Sequence, residues 1–283
     1  MMMFNQPKVS LLIATRNGEQ YLSRALESVL AQTYPNKEII IIDDASQDRT
    51  YQIMQTYAQK YPSIIHIARN AINQSVTKTA NLLLERANGV YAGRLDDDDY
   101  YIDPQKIEKQ VQFLESHPEY GLVGTFCKLL FEDGQCALKK TVWSDAALRR
   151  KIYQGTNPFI NSTVLFRTQA ARDSGGFDTR LATTQDLELF LKIGKERKFA
   201  VLPIVTTVYT VRTQTVSGKR RRRQAIDMIS VLRKHHKNYA NFYHVWSIRL
   251  TKIIVRQLAV SFLPRAFVMQ WKYRKSLEKR NTA

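Results

Sequence analysis

Val90-Tyr-Ala-Gly-Arg-Leu-Asp-Asp-Asp-Asp99 is the stretch of this sequence that decides the fold. Its first six residues are mostly apolar and are typical of a buried β-strand, and four consecutive aspartates follow at once. A short apolar run of this kind is characteristic of a strand in the interior of a sheet. We therefore expect a strand from Val90 to Leu95 whose carboxyl end carries a cluster of negative charge.

The residues before this stretch repeat a pattern of apolar strand followed by amphipathic helix. The three preceding strands are rich in β-branched residues, and the helices place apolar residues at intervals of three and four. The predicted strands are 9–14, 39–42 and 64–68, and the predicted helices are 21–30, one ending near Tyr61, and 77–88. This alternation predicts a parallel sheet covered by helices on both faces.

Polar residues follow three of the four predicted strands. Thr15 and Arg16 end the first, Asp43 and Asp44 end the second, and the four aspartates end the fourth. Ligands of open α/β sheets bind at the carboxyl ends of the strands. The sequence therefore predicts a binding site where these three strand ends meet.

The second half of the chain is less regular and richer in strands. The pattern predicts helices at 104–116 and 186–194, and strands at 122–131, 162–167 and 205–211. Turns are expected near Asp133-Gly134 and at Gly175-Gly176, where glycine lets the backbone approach closely. From Lys219 to the end the pattern is helical and basic, with Pro264 as a predicted break.

The four aspartates need a physical reason to lie together. Several negative charges within a few ångströms raise the free energy of the folded chain unless a cation compensates them. Oxygen ligands suit Mg²⁺ or Mn²⁺, and two carboxylates at alternate positions, Asp96 and Asp98, can reach one ion. A solvated acidic loop is the alternative, and a calcium loop is disfavoured because the Asp-x-Asp-x-Asp-Gly pattern is missing.

The stretch Asp43-Asp-Ala-Ser-Gln-Asp48 allows two interpretations. Ser46 or Asp48 can cap the helix that follows, which would make these residues structural. Asp44 differs from them, because a carboxylate at a strand end can accept a hydrogen bond from a nucleobase N–H.

The net charge of +18 is concentrated near the C-terminus. The residues from Arg212 onward contain 18 Lys and Arg against two acids, Asp227 and Glu278, and so carry +16 of that charge. The chain has no apolar run of about 18 residues and its start lacks the apolar core of a signal peptide. The two cysteines, Cys127 and Cys136, indicate neither a disulfide framework nor a zinc site. We expect a cytoplasmic protein with reduced thiols.

These motifs together resemble glycosyltransferase family 2, whose members have the GT-A fold. The resemblance covers roughly residues 7–224 and is carried by Val9–Asn17, Ala25–Pro35, Asp43–Thr50, Arg94–Asp99, Glu108–Gln110, His117-Pro118, Asn157–Ser162, Gly175–Asp178 and Gln185–Leu189. It implies an α/β protein with a GT-A, Rossmann-like, mainly parallel sheet flanked by helices, and a catalytic domain at 7–217 with a nucleotide-binding half at about 7–100 and an acceptor half at about 101–217. The charge distribution and the helical pattern add a basic helical C-terminal extension, an amphipathic tail at 218–283.

The resemblance assigns a nucleotide-binding role to several residues. Thr15 and Asp44 match positions that hold the base, usually uracil, and Lys78 and Asn81 match a segment near the nucleotide. The glycine that is usual before this segment is replaced by Ser75. The implied nucleotide-binding residues are Thr15, Arg16, Asp44, Lys78, Asn81, Asp96 and Arg212.

The resemblance also implies a metal site and a catalytic base. Asp96 and Asp98 match the Asp-x-Asp signature, whose carboxylates hold the ribose or donor sugar and the Mn²⁺ or Mg²⁺ bound to the diphosphate. Asp186 matches the catalytic base, although Gln185 replaces the glutamate that commonly precedes it. Arg212 stands where the family often has a metal-binding histidine. Because arginine does not bind cations, Arg212 is expected to bind the diphosphate directly.

The implied reaction is an inverting transfer. Asp186 would remove the proton of an acceptor hydroxyl, which attacks the anomeric carbon on the face opposite the diphosphate. One side-chain base suffices because a cation neutralises the leaving group, whereas glycosidases use two carboxyls. A helix N-cap is the alternative role for Asp186.

The expected substrates are a nucleotide sugar, usually a UDP-sugar, and a saccharide or lipid-linked oligosaccharide, in the synthesis of bacterial surface polysaccharide. A nucleotidyltransferase is disfavoured because the loop after the first strand is not glycine-rich. A nucleic-acid-binding protein would use Lys219–Arg223, yet no groove-reading module accompanies that run, so no nucleic acid is expected. A catalytically inactive relative that binds nucleotide sugars stays open.

The C-terminal segment predicts a membrane-surface helix. Apolar residues recur there at helical spacing with basic residues between them: Trp246, Arg249, Leu250, Lys252, Ile253, Ile254, Arg256, Leu258 and Phe262. Such a helix can lie among anionic headgroups at the inner face of the cell membrane. Packing of the apolar stripe on the catalytic body or on another subunit is the alternative, and the oligomeric state is open.

Overall fold

The computed structural model describes residues 6–153, 156–212, 221–235 and 251. The strands are β1 Val9–Thr15, β2 Lys37–Asp43, β3 Ile65–Arg69, β4 Tyr91–Arg94, β5 Tyr100–Tyr101, β6 Tyr120–Phe131, β7 Cys136–Lys139, β8 Leu165–Arg167 and β9 Lys198–Val211. The helices are α1 Leu22–Leu30, α2 Thr50–Lys60, α3 Val76–Arg86, α4 Lys106–Ser116, α5 Asp145–Tyr153, α6 Thr168–Asp173, α7 Gln185–Ile193 and α8 Arg221–Lys234, with a 3₁₀ turn at Asn161–Thr163.

These strands form one sheet in the order β3-β2-β1-β4-β8-β6-β9-β5, with β7 paired to β6. The first four strands pair in parallel, with β1 between β2 and β4. Strand β8 runs antiparallel to both β4 and β6, and β6 pairs in parallel with β9. The α/β prediction is confirmed, and the parallel pairing of the first half gives way to a mixed sheet beyond β4.

Both faces of the parallel part are buried, as its apolar strands predicted. Along β1, Leu11 and Ile13 belong to one apolar cluster and Leu12 to the other, because successive side chains point to opposite faces of a sheet. Helix α1 covers the first face and α3 covers the second. Their core-facing residues are Leu22, Leu26 and Val29 in α1, and Ala80, Leu83 and Leu84 in α3.

The predicted elements of the first half agree with the structure to within a few residues, and the second half differs more. The predicted strand at 162–167 is a 3₁₀ turn followed by the short β8, and the predicted strand at 205–211 begins already at Lys198. The prediction missed this start because proline usually excludes a strand, and Pro203 lies within β9. The strand accommodates Pro203 through a break in its register against β6 between Leu202 and Val205. The short elements β5, β7, α5 and α6 were not predicted.

Helix α8 packs on the body. Met228, Val231 and Leu232 join the same apolar cluster as Leu187 and Leu191 of α7. Residues 221–235 belong to the tail predicted to begin at 218, and this part of the tail packs on the body of the sheet and its helices. The rest of the predicted membrane-surface segment, including Trp246 to Phe262 apart from Thr251, lies outside the described residues.

Among the residues that the structure describes, none of the helices combines the length and the apolar character needed to cross a bilayer.

Candidate active site

The ends of β1, β2 and β4 meet as the sequence predicted. The Thr15 hydroxyl donates a 2.6 Å hydrogen bond to Oδ2 of Asp97, and the Asp44 N–H donates to the Thr15 carbonyl at 2.9 Å. Gly18 lets the loop after β1 approach, since a Cβ there would lie 2.5 Å from the Asp97 carboxylate. The three strand ends therefore form one polar surface.

The loops after β1 and β2 are joined by hydrogen bonds that involve Ser46 and Asp48, the two candidate caps of the helix that follows. Ser46 Oγ accepts from the N–H of Asn17 at 2.9 Å, and Asp48 Oδ2 accepts from the N–H of Glu19 at 3.2 Å. Helix α2 begins with Arg49 at its N-cap position, without a side-chain cap. Ser46 and Asp48 thus hold the two loops together, and Asp48 Oδ1 also accepts from the N–H of Thr50, the first residue of α2, at 3.0 Å.

Asp44 is buried at the predicted base-binding position. Its Oδ1 accepts hydrogen bonds from Nδ2 of Asn70 and from the backbone N–H of Gln74, both at 2.8 Å. These bonds fix the loop before α3, where Ser75 has φ 88° and ψ 151°. Glycine is the residue that adopts this conformation without strain, and glycine is the residue that Ser75 replaces in the family pattern.

Among the other nucleotide-binding candidates, some side chains are exposed and one is hydrogen-bonded within the protein. Arg16 and Lys78 are exposed side chains beside the site. Asn81 is engaged, because its amide donates to the Phe177 carbonyl at 2.9 Å and accepts from the Phe177 N–H at 2.8 Å. Gly176 permits this contact, since a Cβ there would lie 2.7 Å from Asn81 Oδ1. The structure thus gives Asn81 a structural role that its predicted role did not include.

The four aspartates have distinct surroundings. Asp99 is fully buried and accepts hydrogen bonds from the Ser162 hydroxyl at 2.5 Å and the Thr210 N–H at 2.8 Å. These bonds tie the end of β4 to the 3₁₀ turn and to β9. The side chain of Asp96 is 37% exposed, whereas that of Asp98 is 11% exposed. Asp99 therefore serves the fold, and Asp96 and Asp98 face the site.

The aspartate cluster holds more negative charge than its surroundings compensate. Burial, followed by the charges of Asp98 and Asp96, raises the pKa of Asp97 to about 7 against the opposing hydrogen bond from Thr15. Burial and the charge of Asp96 also raise the pKa of Asp98. Within the described residues no group of three or more His, Cys, Asp or Glu side chains forms a metal site. Two carboxylates in an anionic cluster nevertheless fit a divalent cation that takes its remaining ligands from a diphosphate and water.

Arg212 lies against this cluster, at the end of β9. Its Nη2 is 2.5 Å from Oδ2 of Asp98, and its guanidinium stacks over the Tyr21 ring at 4.6 Å. The predicted diphosphate-binding arginine and a predicted metal ligand are therefore direct neighbours.

A single short segment connects Asp96 with Asp186. Asn161 Nδ2 donates to Oδ1 of Asp96 at 2.9 Å, and Asn157 Nδ2 donates to Oδ2 of Asp186 at 3.1 Å. The two asparagines flank Pro158, Phe159 and Ile160, and Phe159 anchors the segment in the core between Phe190 and Phe199. The resemblance had marked this segment without giving it a role, and the structure brings the predicted donor ligand and the predicted base together through it.

Asp186 lies in the first turn of α7. The N-cap position is Thr184, so the alternative role of Asp186 as the N-cap is wrong. Burial raises the pKa of Asp186, and the charge of Asp96 acts in the same direction, against the Leu187 N–H and the charge of Arg94. A carboxylate with a raised pKa at the edge of a polar site is suited to take up a proton.

Arg94 is a site residue that sequence reasoning did not single out. Its side chain is 4% exposed, Nη2 is 3.6 Å from Oδ1 of Asp96, and its charge also acts on Asp186. Nε and Nη1 are buried without a hydrogen-bond partner among the described residues. The sequence signal that could have identified Arg94 was its position just before the aspartates, because a positive side chain beside an anionic cluster tends to compensate the negative charge.

The family model described as Glycosyl transferase family 2 matches residues 10–175. The chain belongs to glycosyltransferase family 2. The match ends before α7, so the assignment of Asp186 does not rest on it.

Relatives of this family 2 chain include two Bacillus subtilis (strain 168) proteins. The chain is 34% identical to EpsE, named as a glycosyltransferase, over 217 residues that cover 76% of each protein. It is 38% identical to TuaG, named as a teichuronic acid biosynthesis glycosyltransferase, over 109 residues that cover 38% of this chain and 42% of TuaG.

Solved structures show the same fold. S. aureus TarS 1-349, in complex with UDP, aligns with a TM-score of 0.67 and 21% identity over 93% of this chain and 78% of that one. The mannosyltransferase PcManGT from Pyrobaculum calidifontis, in complex with GDP-Man and Mn²⁺, gives a TM-score of 0.67 and 17% identity over 97% of this chain and 81% of that one. The family 2 chain therefore has the curled α/β sheet of these two structures.

Proposed function

We propose that this family 2 enzyme transfers a sugar from a nucleotide-diphosphate sugar, preferably a UDP-sugar, to a hydroxyl of an acceptor, with inversion at the anomeric carbon. The observation that carries the proposal is the bridge from Asp96 to Asp186 through Asn161 and Asn157. These two hydrogen bonds link the carboxylate that we propose for the donor to the carboxylate that we propose for proton uptake, at opposite ends of one short segment.

The base and the ribose would lie over the ends of β1 and β2. Asp44 would accept from the N–H of uracil, and Thr15 would line the same surface. The hydrogen bonds from Asn70 and Gln74 hold the Asp44 carboxylate in place before the nucleotide arrives. Such preorganisation lowers the entropic cost of binding. UDP is also the nucleotide in the TarS complex.

The diphosphate would lie between the aspartates and Arg212. Asp96 and Asp98 would hold a Mn²⁺ or Mg²⁺ ion, which when bound neutralises charge on the leaving diphosphate. The Arg212 guanidinium, now on Asp98, would donate to phosphate oxygens, a pairing for which its planar fork is suited. The Mn²⁺ in the PcManGT complex supports the choice of ion.

Asp186 would act as the general base. Its raised pKa favours proton uptake from the acceptor hydroxyl as that oxygen attacks, and Asn157 orients the carboxylate through Oδ2. The attack comes from the side opposite the diphosphate, so the product has the inverted configuration. No second carboxylic acid is needed, because the leaving diphosphate does not have to be protonated.

The first experiment is a screen of the purified chain against a panel of nucleotide sugars with Mn²⁺, with nucleotide release as the readout. We expect one UDP-sugar to be turned over, and NMR of the product to show inversion. Calorimetry of UDP with and without Mn²⁺ tests the ion. Equal UDP affinity in chelator, together with unchanged binding by Asp98→Asn, would contradict the metal site.

The acceptor is proposed to be a saccharide or lipid-linked oligosaccharide used for bacterial surface polysaccharide, and the name of TuaG, which places that protein in teichuronic acid biosynthesis, supports this proposal. The basic segment from Lys219 onward would hold the enzyme at the cytoplasmic face of the cell membrane. Full-length protein should sediment with anionic vesicles and not with neutral ones, and salt should weaken this binding. Lack of sedimentation at low salt would contradict the membrane role while leaving the transfer activity untouched.

A further inference from the structure

The loop between α6 and α7 delivers Asp186 and is held at several points. α3 supports its first part, through the Asn81 amide on Phe177 and through the Thr77 hydroxyl, which donates to the Leu181 carbonyl at 3.1 Å. The loop ends at Thr184, which has φ 59° and ψ 15°, the left-handed conformation. A β-branched residue in this region is strained, and it keeps that conformation only where its surroundings enforce it.

Asp227 of α8 bonds to Thr183, the residue before the strained position. Its carboxylate is 3% exposed, and its Oδ2 accepts two hydrogen bonds from Thr183, at 2.9 Å from the backbone N–H and 2.8 Å from the hydroxyl. Oδ1 pairs with Arg223 Nε at 2.8 Å, which compensates the buried charge. Hydrogen bonds to an ionised acceptor are about twice as strong as neutral ones, so Asp227 fixes Thr183 firmly.

The other end of α8 holds α7 just beyond Asp186. Lys234 Nζ lies 2.6 Å from Oε1 of Glu188, whose side chain is fully buried, and 3.1 Å from Oδ2 of Asp178. Asp186 is therefore three residues after one contact of α8 and two residues before the other. The apolar residues Met228, Val231 and Leu232 already pack α8 against the core. The buried carboxylate of Asp227, which bonds to Thr183, is therefore not needed to hold α8 there.

We propose that α8 is a clamp that orients the catalytic base, with Asp227 as the positioning residue that acts on Asp186 through Thr183. The clamp is a part of the machinery that lies beyond the segment matched by the family model, which ends at residue 175. The inference rests on the proposed function, because it takes Asp186 as the base.

The test compares Asp227→Ala with Asp227→Asn in the full-length chain. The alanine variant removes both hydrogen bonds to Thr183, and the asparagine variant keeps an oxygen that can accept them. We expect Asp227→Ala to lower kcat roughly 10-fold to 100-fold, the scale of a misplaced catalytic group, with the Kd for UDP and Mn²⁺ changed less than about twofold. Asp227→Asn should recover most of kcat.

A matched control separates positioning from general stability. Leu114 is fully buried on α4, in the apolar cluster on the opposite face of the sheet. Leu114→Ala leaves a cavity in the core, so it should lower the melting temperature at least as much as Asp227→Ala and yet keep kcat in assays well below that temperature. Hydrogen exchange should rise over residues 183–189 in Asp227→Ala and not in Leu114→Ala.

The proposal is overturned if Asp227→Ala keeps kcat within twofold of the parent, or if Leu114→Ala loses as much kcat. If Asp227→Ala does not fold, Thr183→Val and Thr183→Ser test the proposal instead, because only serine keeps a hydroxyl that can donate a hydrogen bond to Asp227. Equal kcat in these two variants overturns the clamp. Asp186→Asn is measured in parallel. Normal turnover in Asp186→Asn rejects the assigned base, whereas loss there with normal turnover in the Asp227 variants rejects the clamp alone.

Discussion

The Arg212 guanidinium lies 2.5 Å from the Asp98 carboxylate, so the residue expected to bind the diphosphate also pairs with a residue expected to bind the cation. The two are 114 positions apart and meet because β9 ends beside the loop after β4. The pair compensates part of the negative charge of the cluster while it persists. On binding of the cation and the diphosphate, Asp98 would therefore exchange Arg212 for the cation, and Arg212 would exchange Asp98 for the diphosphate.

Removal of Arg212 should separate its two roles. In Arg212→Met, UDP should bind in the presence of Mn²⁺ about 10-fold to 100-fold more weakly, because a charge-assisted hydrogen bond is lost. Mn²⁺ alone should bind more tightly, because Asp98 loses its competing partner. Calorimetry with each ligand measures both changes. Arg180→Met is the control for loss of one positive charge, since Arg180 is exposed and pairs with Asp178; similar effects in this control would contradict a specific role for Arg212.

The pH dependence of transfer should report Asp186. A general base works only when ionised, so kcat rises with pH through its pKa, which burial places above the ordinary value for aspartate. Asn157→Asp replaces a donor 3.1 Å from Asp186 by a like charge, and should move the rising limb to higher pH by about one unit or more. The acceptor oxygen for the Phe159 N–H is kept in this variant.

The control for this change is Asn36→Asp, which introduces the same charge at an exposed position. Its pH–rate profile should overlay that of the parent. An unshifted limb in Asn157→Asp would show that another group controls the profile, and loss of turnover in Asp186→Asn by about 10² or more would independently support the assigned base.

Ser75 should be a site of stored strain. Its φ of 88° and ψ of 151° fall in a region that is essentially restricted to glycine, where other residues pay about 1–3 kcal/mol. Ser75→Gly should therefore raise the free energy of unfolding by about 1 kcal/mol, after allowance for the greater flexibility of the unfolded chain. Urea denaturation measures it. Ser63→Gly, at an exposed turn, should be neutral or slightly destabilising, and a gain of the same size there would count against strain at Ser75.

Lys106 should make stability depend on pH. Its side chain is fully buried, with Nζ 2.7 Å from Gln110 Oε1 and 4.4 Å from the centre of the Tyr101 ring. Burial lowers its pKa to about 7, from 10.5 in an exposed lysine. Below pH 7 both states bind the proton; between pH 7 and about 10.5 the unfolded state binds more, so this group makes stability rise with pH by up to roughly 1.4 kcal/mol per unit.

Lys106→Met lacks this proton, so its stability relative to the parent should be most favourable near pH 6 and should fall as the pH approaches 10. Denaturation of both proteins at pH 6, 8 and 10 gives the difference. Lys109 lies on the same helix and forms a partly exposed ion pair with Asp103, which precedes the helix. Lys109→Met removes this pair and should give a difference that changes little. A flat difference for Lys106→Met would mean that Lys106 keeps its charge when folded.

The sequence alone determined the first half of the fold and the main anionic site. The strands β1 to β4 could be predicted because burial on both faces requires continuous apolar runs, which are a local property of the chain. The convergence of Thr15, Asp44 and the aspartates followed from the parallel order, since such strands end on the same side of a sheet. The family pattern added Asp186 and Arg212 as candidates.

Only the tertiary structure decided how these residues act on one another. The pairing of Arg212 with Asp98, the bridge from Asn161 and Asn157, and the support of Thr183 by Asp227 join residues that are far apart in the chain. Local patterns also gave the wrong element at 162–164 and set α8 apart as a tail, because a basic helix that packs by one apolar stripe has the same spacing as one that binds a membrane. Periodicity reports that a surface is buried; the partner that buries it is chosen by the packing of the whole chain.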